Sequence, residues 1–184
     1  MEQGSVYYDR IRRRYYLILY IAFTLGILSG ALLFRHFSEG FGAIGCSLDE
    51  FMQLICSRGL VSLLLLSFLP LFFVTFLSFT ELGHWALPGY FALLGLLDAL
   101  LLSYGVRYWG SSGILLFLMV LLPQLLPQLF LYPALSFRLL YGSVSLKGTP
   151  FRWFLFLSLG ITCGTALIQR LLIPVFLQRL PFFG

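Results

Sequence analysis

Charge is what this sequence lacks. Only 10% of its 184 residues are Asp, Glu, Lys or Arg, against 60% hydrophobic, and the mean hydropathy is +0.95. A water-soluble domain carries about 25% charged residues, so the deficit excludes a soluble fold and makes the lipid bilayer the solvent. The net charge of +5 is no nucleic-acid footprint, because the basic residues stand at the ends of apolar runs rather than on one face. Groups that carry chemistry are equally sparse. There are two His and three Cys, and His36 and His84 fall on opposite faces of the membrane once spans are assigned. No Ser/His/Asp set, Walker sequence or Gly-rich phosphate loop is present. The expectation is a non-enzyme without metal or cofactor. Cys163 reads as a small core residue.

What is present is apolar sequence in lengths that span a bilayer, which takes roughly 20 residues. Five segments qualify: 15–34, 59–79, 87–106, 114–137 and 153–172. The predicted fold class is therefore all-α, a polytopic integral membrane helix bundle forming a single transmembrane domain over 15–184. Residues 1–14 form a basic cytoplasmic segment ahead of it. The first span is too long for a signal-peptide core and lacks a small-residue cleavage site, so it reads as a retained anchor.

Orientation follows from Lys and Arg placement. Arg10, Arg12, Arg13 and Arg14 precede the first span, and Arg138, Lys147 and Arg152 lie between the fourth and fifth. Arg35, Arg58, Arg107, Arg170 and Arg179 fall on the other side. The cluster before the first helix places the N-terminus in the cytoplasm and the C-terminus outside the plasma membrane.

The longest loop, 35–58, is then external. Within it "SLDE" is a capping box, with Ser47 placed to cap and Glu50 to bond back. Leu48, Phe51, Met52 and Ile55 recur at helical spacing, with Asp49 and Glu50 on the opposite, polar face. This pattern fits a short amphipathic helix in the outer interface, and equally an extension of the second span. Asp49 and Glu50 are candidate partner-binding residues. A helix starting at Ser47 would hold Cys46 and Cys56 about 15 Å apart, too far for a disulfide, which needs about 7 Å.

Three features inside the spans invite a functional reading. "LLPQLLPQLFLYP" (121–133) sets Pro123, Pro127 and Pro133 in an apolar run, with Gln124 and Gln128 four residues apart. Each proline removes an N–H and orphans a carbonyl upstream, here those of Met119, Pro123 and Leu129. In lipid these must be met by neighbouring helices, side chains or water, so the fourth span should be central in the bundle. Asp98 lies deep in the third span, where an ionised carboxylate costs several kcal/mol, roughly 2.5–3.5 at least. It must be protonated, solvated or paired: either a proton or ion site or, the reading we favour, a packing hydrogen bond, with Gly95 and Gly105 on its face and Arg170 as one partner. "GILSG" is a GxxxG pattern, and Gly26 and Gly30 suit close packing within the chain or between copies.

The region "YGVRYWGSSGILLFLMVLLPQLLPQLFLYPAL" (104–135) resembles the signature region of the stage II sporulation protein M family. There, a Gly-containing turn leads into a helix with an "LPQ"-like or "LPH"-like centre and a later Pro. The basic lead-in and "LGILSGALL" of the first span are similar as well, and the third span departs from the family's Gly-rich pattern. The resemblance implies a role in endospore formation: a membrane scaffold that organises the peptidoglycan-remodelling stage II sporulation proteins D and P at the septal and engulfing membrane. Pro123, Gln124 and Pro133 would be the motif positions. The rival reading is a small transporter or channel-like protein, with the broken fourth helix and Asp98 as its pathway.

Overall fold

A computed structural model describes residues 2–42, 60–120, 122–141, 156–168 and 171. These segments are helical apart from a turn at 80–82, and no strand occurs among the described residues. Helix α1 runs Glu2–Gly42 and leaves helical geometry at Phe37 (φ −109°, ψ 19°). The basic N-terminal segment is thus continuous with the first apolar run. Helix α2 spans Leu60–Phe79, and α3 spans Gly83–Val120. Next come α4, Leu122–Leu126, a π-helical turn at Pro127–Leu131, α5 at Tyr132–Tyr141 and α6 at Phe156–Ile168. The expected external helix over 47–58 lies outside the described residues.

Helix α3 is two helices joined by a reversal. Gly110 has φ 56° and ψ −130°, a conformation open to glycine and closed to side chains. Across it Gly105 and Gly113 touch backbone to backbone. Eight residues of straight helix would hold them about 12 Å apart, so the chain doubles back. The turn separates the segments expected as third and fourth spans.

Two stretches, Asp9–Phe37 and Gly83–Leu115, are long and apolar enough to cross a membrane, and Ser67–Phe79 and Phe156–Ile168 are shorter apolar helices. Helix α1 explains why lipid suits it. Tyr15, Leu19, Phe23, Gly26, Gly30 and Phe34 line one buried stripe at spacings of three and four. The opposite stripe, Leu17, Ile18, Ile21, Leu25, Leu28 and Leu32, is as apolar and lies exposed. In water that surface would be an aggregation site. Hydroxyls along these helices bond their own backbone: Thr24 to Tyr20 O, Ser29 to Leu25 O, Thr75 to Leu71 O and Ser78 to Val74 O.

The stripe of α1 packs on α3 with small residues on both sides. A Cβ at Gly26 would strike the carbonyl of Ala92, one at Gly30 the carbonyl of Leu96 and the side chain of Ala99, and one at Gly95 the carbonyl of Phe23. Where lipid is the solvent, this close approach supplies dispersion in place of a hydrophobic drive. Because the partners advance together along both chains, α1 and the first part of α3 are parallel. By contrast Tyr15 meets Ser136 and Tyr20 meets Leu129, so α1 and the 127–141 segment are antiparallel. The core between these helices joins Leu19 and Phe23 to Leu71, Val74, Leu87, Phe91, Leu131 and Leu135.

Candidate functional site

The proline-rich segment departs from α-helical geometry and buries one face while Leu126 and Phe130 stay exposed. Pro127, Gln128, Leu131, Tyr132 and Pro133 are all buried, while Pro123 and Gln124 are half-buried. The helix accommodates its prolines by widening: the N–H of Tyr132 bonds Pro127 O, five residues back. Such π turns occur chiefly as single-turn bulges inside α-helices.

Pro133 has no N–H for the carbonyl of Leu129. That oxygen instead accepts a hydrogen bond from the Tyr20 hydroxyl at 2.9 Å. A neighbouring helix thus supplies the missing donor. Below it Tyr15 donates to Ser136 Oγ at 3.0 Å, and Ser136 in turn donates to Pro133 O at 3.0 Å. From the other side the Tyr132 side chain lies against Thr162 of α6, where Ser158, Thr162 and Ala166 form a small, fully buried stripe. The broken segment is therefore held by α1 and α6 together. Sequence reasoning named the orphan carbonyl but missed Tyr15, Tyr20, Ser136 and Thr162. The available signal was hydroxyl-bearing residues on the core stripes of apolar helices, which in lipid need partners.

Gln128 is buried in the same segment. Its Oε1 is buried without a hydrogen-bond partner among the described residues. Asp98 is similar: the residue is 9% exposed and its Oδ2 has no partner among the described residues. These two atoms do not form one site. Gln128 adjoins Leu129 and so stands level with Tyr20, whereas Asp98 adjoins Ala99 and stands level with Gly30. Ten residues of α1 separate those levels, about 15 Å along the bundle. Arg170, Asp49 and Glu50 lie outside the described residues. Gly95 and Gly105, expected to let the Asp98 face approach a neighbouring helix, both make close approaches: Gly95 meets α1 and Gly105 meets Gly113 past the reversal. The chain turns at Gly110, which puts a second helix against the end of the first. Gly26 and Gly30 are brought together with Ala92 and Ala99, within the chain.

Aromatic rings gather at the end of the bundle where α1 begins. Tyr15, Tyr16, Phe137 and Tyr141 pack with centroids 4.9–6.3 Å apart, and Tyr141 hydrogen-bonds His84 Nδ1 at 3.2 Å. Burial raises the Tyr141 hydroxyl above its ordinary pKa. A second group, Tyr104 with Tyr108 and Trp109, lies at the opposite end beside Arg107.

Comparison with protein-family models, curated proteins and solved structures yields no match to this chain.

Proposed function

We propose that this chain is a five-span membrane protein with its N-terminus in the cytoplasm, acting as a non-enzymatic scaffold for cell-wall-remodelling partners during endospore formation. Several observations support the membrane part. Arg14 with Tyr15 and Tyr16 sits at one end of the apolar run of α1, and Arg35 with His36 and Phe37 at the other. The two arginines stand 21 positions apart, about 31 Å along a helix, close to the bilayer's hydrocarbon thickness. Parallel α1 and α3 agree with odd-numbered spans crossing in one direction while α2 returns.

The observation that carries the scaffold reading is the Tyr20–Leu129 hydrogen bond across the proline break. It ties the irregular fourth segment to α1, and the Tyr15–Ser136 hydrogen bond adds a second tie, which supports a structural role for the break. With the resemblance of 104–135 to the stage II sporulation protein M family, the reading is that the chain holds the stage II sporulation proteins D and P at the septal and engulfing membrane. Deleting the chain should block engulfment while the two purified partners keep their hydrolytic activity. Reversing the charge of Asp49 and Glu50 should weaken partner recruitment more than membrane abundance. Normal recruitment by the charge-reversed chain would remove those two residues from the partner surface.

One observation favours the rival transporter reading: the buried, unpartnered Oδ2 of Asp98. Reconstituted into liposomes, a transporter would move a solute or protons unaided. Flux by the purified chain that Asp98→Asn abolishes would favour that reading.

A further inference from the structure

The arginines at the start of α1 are not distributed evenly around the helix. At about 100° per residue, Arg10 and Arg14 continue the exposed stripe of Leu17, Ile18, Ile21 and Leu25, and Arg13 stands at its edge, one turn before Leu17. Arg12 projects from the other side and is paired with Asp9 at 3.1 Å. Among the described residues no carboxylate is paired with Arg10, Arg13 or Arg14, and all three are exposed. Beside Arg13 stands Tyr16, packed on Phe137 at 5.8 Å. One face of α1 thus presents, in order, aliphatic side chains, an aromatic edge and three guanidinium groups that pair with no carboxylate among the described residues.

From this juxtaposition we infer that Arg10, Arg13 and Arg14 form a binding site for the phosphate headgroup of an anionic phospholipid in the cytoplasmic leaflet. The proposal rests on the membrane reading above. The occupant is a lipid because the arginines share a stripe with side chains that meet acyl chains. A headgroup phosphate there has its own tails lying along Leu17 and Ile21. Guanidinium groups bind phosphate oxygens in bidentate pairs, and each basic residue near an anionic membrane surface raises binding roughly fivefold. A soluble anion would gain nothing from the aliphatic stripe.

The test is competitive lipid retention by the full-length purified protein. The chain is extracted into detergent with equal amounts of phosphatidylglycerol and phosphatidylcholine, and bound lipid is counted by native mass spectrometry. The wild type is expected to retain phosphatidylglycerol at least tenfold over phosphatidylcholine. The triple variant Arg10→Gln, Arg13→Gln, Arg14→Gln should lose that preference. A control pair at the far end, Arg35→Gln and Arg107→Gln, should keep it. Should the triple variant insert wrongly, the lysine triple provides the second arm: it preserves the charge, and its preference should fall in part and vanish at high salt. Equal retention of both lipids by the wild type overturns the proposal, as does a preference unchanged in the triple variant. Loss of the preference on adding millimolar inorganic phosphate overturns the lipid assignment in favour of a simple anion site. Failure of the underlying membrane reading is separately visible, as release of the chain from membranes by alkaline carbonate.

Discussion

The Tyr20 hydroxyl stands 2.9 Å from the Leu129 carbonyl, the oxygen left without its helical partner by Pro133. One side chain, 109 residues away in sequence, meets the carbonyl that the proline leaves open. The bond accounts for a tyrosine amid the aliphatic residues of α1, and for a proline that the fourth segment tolerates in its interior.

Tyr20→Phe should therefore destabilise the bundle by about 1–2 kcal/mol, the cost of a buried carbonyl left unpaired. In Pro133→Ala the new N–H can take the carbonyl itself, so adding Tyr20→Phe should cost clearly less. Thermal unfolding of the two single variants and the double variant in detergent measures this coupling. Additive effects would mean that the bond does not answer the proline.

Glycines on α1 and α3 should divide by what lies opposite them. At Gly26 an added Cβ meets the backbone of Ala92, whereas at Gly89 it meets nothing within 4 Å. Gly26→Ala should cost about 1–3 kcal/mol through forced separation of the helices. Gly89→Ala should be neutral or stabilise by roughly 0.4–1 kcal/mol through the unfolded state. The same melting assay reads both, and equal effects would contradict the parallel packing of α1 on α3.

Asp98 distinguishes packing from proton chemistry. If its carboxyl acts as a hydrogen-bonding group in the bundle, Asp98→Asn should preserve both membrane abundance and partner recruitment, because the amide keeps a donor and an acceptor. Lost function at normal abundance would assign the carboxyl to proton or ion handling instead.

Topology gives a separate check. In a chain stripped of its own cysteines, Ser38→Cys should react with an impermeant thiol reagent from outside intact cells and Ser5→Cys should not. The reverse pattern would invert the orientation and move the Arg10–Arg14 cluster to the outer surface.

Local chemistry was legible in the sequence, and long-range pairing was not. Pro133 announces an orphan carbonyl at Leu129 because the defect is set by four residues of the same segment. Tyr20 gives no local sign that it will meet it. Likewise "GILSG" declares a close-packing face, but nothing in residues 26–30 selects Ala92 and Ala99 over another chain. That choice is made by the path of the backbone between them. Gly95 and Gly105 are likewise legible as close-packing positions beside Asp98, but which helix each meets is set by the path of the chain, and the reversal at Gly110 brings Gly113 against Gly105. The π turn at Pro127–Leu131 was legible as a break but not as a widening, since three prolines fix where N–H groups are missing and not which carbonyls the others choose.

The scaffold role is tested most directly by the positions of its partners in a sporulating cell. Fluorescent fusions of stage II sporulation proteins D and P would be followed at the septum with and without this chain. The account predicts that both partners disperse from the septal membrane when the chain is deleted, and return when it is supplied in trans. Unchanged septal localisation of both partners in the deletion strain, together with solute flux by the purified chain in liposomes, would contradict it.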